Sequence, residues 1–208
     1  MCSSDLTSSK VVFRFVANAF TLAQYPFHFE VLVSFEINKK SLVNTFYVMN
    51  NGNKTMPFTL GGHPAFAIPL GPNDAIEDCY IELEKKETAN RHLLNNDGLF
   101  TGALRPVFKN SKLLPITKNL FNQDALIFKD LKSKAVAIKS TSTNNFLKVT
   151  FAGWPYLGIW AKPNAGFVCI EPWIGCADTL NFNKEFADKE MMMLLEPNQA
   201  QSFMFTIT

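Results

Sequence analysis

Two side chains of this sequence are best suited to move protons: the imidazole of His63 and the carboxylate of Glu171. His63 sits in Leu60-Gly61-Gly62-His63-Pro64-Ala65-Phe66. Gly61 and Gly62 let the backbone turn where a side chain would clash. Pro64 holds His63 out of helical geometry, so the ring rides on a stiff extended segment. An imidazole titrates near pH ~6.5 and can give or take a proton under mild conditions. The plain alternative is a structural histidine held by backbone hydrogen bonds.

Glu171 follows the apolar run Phe167-Val168-Cys169-Ile170 and precedes Pro172-Trp173. A carboxylate in such company costs free energy unless it is hydrogen-bonded or used. Partial burial raises its pKa toward that of a working general base. A strand-end glutamate paired to a lysine is the alternative. Trp160 and Trp173 lie nearby in sequence. Aromatic faces beside a carboxylate suit a sugar, the rings taking its apolar face and the carboxylate a hydroxyl; aromatics are also ordinary core. Asp124 opens Ala125-Leu126-Ile127-Phe128 and is placed to emerge at a strand end. Asp178, in a polar turn, is less distinctive. His28, in an alternating strand, and His92, in a polar stretch, read as packing or surface residues.

The elements that must position these groups are strands. Residues 11–16 and 27–37 read as strands, the second with partial period-two alternation. Asn38-Lys39-Lys40-Ser41 is a turn and residues 42–50 the next strand, which Asn51-Gly52-Asn53 closes as a hairpin corner. Residues 79–83 form a short strand, and residues 90–108 read as loop with a turn at Asn95-Asn96-Asp97-Gly98. Further strands fall at 125–128, 135–140, 146–151, 157–160, 167–171 and 201–208. Residues 185–195 fit a short helix or a loop entering a strand. No long helical period occurs, so the class is all-β, built mainly from antiparallel hairpins. Residues 1–9 are polar and are expected to be a disordered or non-native start. Residues 10–208 are expected to form a single β-sandwich domain.

Size and composition narrow the function. The 208 residues suffice for one domain with a sizeable core. The 20 phenylalanines favour wide sheets packed face to face. The formal net charge is +2, and basic residues cluster only in pairs such as Lys39-Lys40 and Lys85-Lys86. That excludes the concentrated basic face a nucleic-acid binder needs. No apolar run reaches the ~18 residues of a membrane helix, and no secretory signal pattern is present. Cys169 and Cys176 are too widely spaced for an ordinary zinc pair. The four cysteines are expected to be free thiols in a reducing, cytoplasmic compartment.

Gly62-His63-Pro64-Ala65-Phe66, Asp124-Ala125-Leu126-Ile127-Phe128 and Ile170-Glu171-Pro172-Trp173-Ile174-Gly175-Cys176-Ala177-Asp178 resemble the aldose 1-epimerase, or galactose mutarotase-like, family. Tyr25-Pro26-Phe27, Met56-Pro57-Phe58 and Leu157-Gly158-Ile159-Trp160 resemble its LacX-type branch. The resemblance spans roughly residues 20–208. It implies a large antiparallel β-sandwich, the supersandwich, with an open sugar-binding cleft. It implies an isomerase that interconverts α and β anomers of an aldose without metal or organic cofactor. Glu171 would be the base at the C1 hydroxyl and His63 the acid at the ring oxygen. Asp124 would hold ring hydroxyls, and Trp160 and Trp173 would line the cleft. Members of the family carry an N-terminal part with early strands, an arginine and a second histidine, and nothing here matches it. The resemblance therefore implies an N-terminally truncated sandwich with unpaired edges and doubtful activity. A non-catalytic carbohydrate-binding β-sandwich is the alternative, and a purely structural β-domain a third reading. The expected partner is a small-molecule sugar, with neither nucleic acid nor membrane, and the chain a monomer or weak homodimer. Arg91, Arg105 and Lys162 stand apart in sequence and make no phosphate-binding motif.

Overall fold

Short apolar runs punctuated by turn residues give strands throughout, and the computed structural model describes residues 2–208. The strands are β1 (Cys2–Leu6), β2 (Lys10–Val16), β3 (Phe29–Asn38), β4 (Ser41–Asn50), β5 (Met56–Phe58), β6 (Leu60–Gly61), β7 (Ala65–Ala67) and β8 (Cys79–Leu94). They continue as β9 (Phe100–Pro115), β10 (Leu126–Phe128), β11 (Ala135–Ser140), β12 (Phe146–Thr150), β13 (Tyr156–Trp160), β14 (Phe167–Ile174), β15 (Met193–Leu195) and β16 (Ala200–Ile207). One helical turn, α1 (Ala19–Leu22), is capped by Asn18, whose side chain accepts from Phe20 and Thr21 N–H groups. The described pairings between these strands are antiparallel, as the hairpin-rich sequence requires.

The chain divides into two compact units, Met1–Thr59 with Glu185–Thr208, and Leu60–Lys184. In the first, β1, β2, β3, β4 and β16 lie side by side in that order. The β3–β4 hairpin closes with Asn38 opposite Ser41, and Lys39 takes the left-handed conformation (φ 55°) that so tight a turn demands. β5 and β15 form a separate ribbon. Met56, Phe58 and Leu195 of the ribbon form a core cluster with Val48 of β4, and Tyr25, Phe27, Phe29 and Phe203 pack against them. Phe13, Phe15, Phe35 and Ile37 of β2 and β3 stay substantially exposed.

Two expectations for this unit change. The polar opening residues include a strand, because β1 pairs with β2 through main-chain groups that every residue carries. Asn51-Gly52 is not a hairpin corner, because β4 is flanked by β3 and β16 and β5 pairs elsewhere. Instead Asn51 N–H donates to His28 carbonyl, and Asn50 Oδ1 accepts from Gly52 N–H.

The second unit has the order β12, β11, β8, β10, β13, β14, β6, with β7 also on β14 and β9 on β8. Ile81, Leu83, Ile127, Phe128, Ile138, Leu157, Ile159 and Ile170 fill its core, each at most 2% exposed. The stretch expected to be loop is a long hairpin: β8 and β9 are 16 residues each, joined at the expected Asn95–Gly98 turn. Its apolar signal is weak because the register shifts four times and polar residues occupy inward positions. Glu87, for one, is 3% exposed and accepts from Ser133 N–H and Oγ–H at 2.7 and 2.8 Å. Residues 185–195, which belong to the first unit, resolve into a 3₁₀ turn, Phe186–Asp188, and strand β15. Among the described residues, no helix is long and apolar enough to cross a membrane.

Candidate functional site

The second unit builds its site on β14. The strand is apolar and largely buried, and its period of two sends Cys169, Glu171 and Trp173 to one face. β13 runs beside it with Trp160 opposite Cys169 and Gly158 opposite Glu171. On the other flank Ala65 of β7 lies opposite Cys169, and Gly61 of β6 opposite Trp173.

His63 lies between β6 and β7, and two main-chain hydrogen bonds fix it. Gly62 N–H donates to Pro172 carbonyl at 3.0 Å, and Ile170 N–H donates to Pro64 carbonyl at 3.2 Å. The residues flanking His63 are thus tied to the residues flanking Glu171. As a result His63 Nε2 stands 3.5 Å from Glu171 Oε1, although 108 positions separate them in the chain. The carboxylate is buried (side chain 6% exposed) while the imidazole is open to solvent (63%). Trp160 meets the imidazole edge to face at 6.2 Å.

Gly61 has a different task from the one its sequence suggests. It is not a turn residue; a Cβ there would stand 2.9 Å from Trp173 Cδ1. At Gly158 a Cβ would meet the same indole at 2.6 Å. Two missing side chains therefore make the bed on which Trp173 lies, and from there its indole N–H donates to Glu171.

Burial holds the Glu171 carboxyl above the usual carboxylate range. His63 and the Trp173 hydrogen bond oppose that rise, and the charge of Asp124 adds to it. Asp124 itself is exposed, in the left-handed region (φ 65°), just ahead of β10. Its charge acts on Glu171 on one side and on Arg91 on the other. Burial, with Glu171 beside it, pushes the Cys169 thiol up to about 11. Glu82 makes the contrast: hydrogen bonds from Lys112 and Lys139 hold it below the usual range. The depression of about 280 Å³ over Glu82 thus holds a carboxylate already paired to two lysines.

All five expected site residues, His63, Asp124, Glu171, Trp160 and Trp173, belong to the second unit. His63, Glu171, Trp160 and Trp173 meet directly or through one neighbour, and Asp124 acts through its charge. Asp178 contributes a main-chain carbonyl that accepts from Phe100 N–H. His92 stacks edge to face on Phe100 at 5.8 Å. Cys79 and Cys169 are buried free thiols.

Sequence reasoning missed three features. Cys169 was legible, two residues before Glu171 on a strand. Gly158 was legible only with the strand register. Arg91 and Arg105, apart in sequence, lie opposite one another on β8 and β9. Both donate to Gln123 Oε1, Arg91 Nη2 at 2.7 Å. No sequence signal pairs residues across a bulged hairpin.

The model of the aldose 1-epimerase family matches residues 3–194. The chain belongs to the aldose 1-epimerase family. Within it, the LacX proteins of Lactococcus lactis subsp. lactis, plasmid and chromosomal, are each 30% identical over 98% of this chain and 70% of their own length. A galactose mutarotase related enzyme from Lactobacillus acidophilus shares the fold with a TM-score of 0.92 and 28% identity. It covers all of this chain, which spans 70% of that one. A galactose mutarotase-like protein from Lactobacillus casei ATCC 334 aligns with a TM-score of 0.88 at 24% identity, over 100% and 71% of the two chains. The all-β antiparallel architecture expected from the hairpins is that of these family structures.

Proposed function

We infer that this member of the aldose 1-epimerase family is an isomerase that interconverts the α and β anomers of an aldose. The observation that carries the reading is the 3.5 Å separation of His63 Nε2 and Glu171 Oε1. The C1 hydroxyl oxygen and the ring oxygen of an aldose share one carbon. Two groups this close can each reach one of them.

Glu171 takes the C1 hydroxyl proton, and the electron pair released forms the C1 carbonyl as the bond from C1 to the ring oxygen breaks. His63 gives its proton to that ring oxygen. Rotation about C1–C2 and reclosure through the reverse transfers yield the other anomer. The raised Glu171 pKa brings the base nearer to the sugar hydroxyl it must deprotonate, and so strengthens it. Asp124, exposed beside the pair, holds ring hydroxyls. Trp160 backs the imidazole, and Trp173 keeps the carboxylate aimed through its indole N–H. Both proton carriers come from the chain itself and are held before substrate arrives.

Polarimetry on freshly dissolved pure α-anomers of D-glucose and D-galactose tests this. Equilibration faster than buffer alone, at a rate proportional to protein concentration, is the expected result. Saturable sugar binding with no acceleration would favour the second reading, a sugar-binding sandwich without catalysis.

A further inference from the structure

Cys169 has no part in the proton transfers, yet it points to the same place. His63, Cys169 and Glu171 each present a ligand atom, and the three atoms lie within 4.8 Å of one another. Zinc bonds of about 2.0–2.2 Å to nitrogen and oxygen, at a tetrahedral angle, place two such donors about 3.4 Å apart. His63 Nε2 and Glu171 Oε1 are 3.5 Å apart. With a zinc–sulfur bond of about 2.3 Å, the sulfur sits about 3.6 Å from either partner, so Cys169 Sγ has to close by at most about 1.2 Å.

Three things fix the kind of ion. A nitrogen, a sulfur and an oxygen donor form a set suited to zinc and its first-row neighbours. Magnesium and calcium want six or more oxygens, which this face does not offer. The strand geometry is also rigid: Cys169 and Glu171 are two apart on buried β14, and His63 is tied to the same strand by main-chain bonds.

We propose that His63, Cys169 and Glu171 form a three-ligand zinc site that shuts the proton-transfer pair when the ion is bound. The fourth tetrahedral position opens on the His63 side, where the imidazole is 63% exposed. On binding, the Cys169 thiol loses its proton to solvent and a zinc–sulfur bond forms. The metal then occupies the imidazole nitrogen and the carboxylate oxygen that the sugar would need. Zinc and sugar therefore exclude one another.

Cobalt(II) is the probe, titrated into the metal-free protein. Tetrahedral visible bands and a thiolate-to-cobalt charge-transfer band in the near ultraviolet are expected, growing to one equivalent and bleached by zinc but not by magnesium. Cys169→Ser, checked for folding by circular dichroism, should abolish the charge-transfer band and weaken binding at least about tenfold. His63→Gln, at an exposed side chain, should remove the tetrahedral bands; Cys176→Ser should change neither. Absence of a charge-transfer band in the unmutated protein would overturn the proposal. So would a band lost in Cys176→Ser and retained in Cys169→Ser. This readout needs no turnover, so it stands apart from the test of isomerase activity.

Discussion

The Trp173 indole rests on Gly158 so closely that a Cβ at that glycine would stand 2.6 Å from Cζ2 and 2.8 Å from Cη2. An aromatic ring cannot yield at those atoms as the tip of a flexible chain would. Gly158→Ala therefore has to move the indole and with it the N–H that Glu171 accepts. Overpacking of this kind costs about 1–3 kcal/mol, measurable as an earlier urea midpoint. Adding Trp173→Phe, a smaller ring, should recover part of that loss. A double variant no more stable than Gly158→Ala alone would show that the contact is not the cause.

How much of this was legible before the fold was known depended on the kind of signal. Glu171 stood out because a charge interrupted an apolar run, and Cys169 and Trp173 follow from a period of two. The residues around His63 announced an extended segment but not the task of Gly61, since a close approach by Trp173 depends on strand register. The β8–β9 hairpin hid for the same reason in reverse. Its inward positions include Glu87 and Arg91, satisfied by partners 32 to 46 residues away, and no local pattern encodes such pairing.

The Trp173 indole N–H favours the ionised Glu171. Trp173→Phe removes that donor, so the carboxyl pKa rises further. The acid limb of the kcat/KM profile for mutarotation should then move to higher pH. An unmoved limb would separate Trp173 from the ionisation of the base.

Glu171 also carries a stability signature. Its folded pKa lies above its ordinary value because of burial. The sign is then fixed: its contribution is fully present below the unfolded-state pKa and is lost as pH rises through the folded-state pKa. Glu171→Gln never ionises, so its Tm should exceed the unmutated protein's in mildly alkaline buffer. The gap should close as the pH falls below the ordinary glutamate range. A rise of a few degrees is expected, at about 2–4 °C per kcal/mol for a chain of this length. A Tm difference that does not depend on pH would contradict the burial argument.

Arg91 and Arg105 face one another across β8 and β9, and Gln123 Oε1 accepts from both. Like charges opposite one another on neighbouring strands repel. Arg91 is only 4% exposed, so water cannot readily replace the lost acceptor. Gln123→Ala should cost about 1–3 kcal/mol in urea unfolding. A second substitution, Arg105→Ala, should return part of that by removing the repulsion. Additive losses in the two variants would rule out the coupling.

The most direct measurement is mutarotation of a pure aldose anomer by the unmutated protein and by Glu171→Gln and His63→Asn, with sugar binding followed separately by calorimetry. Each variant should lose about 10²–10⁴-fold in rate while still binding sugar. Rates in both variants equal to that of the unmutated protein would contradict the assignment of proton transfer to this pair.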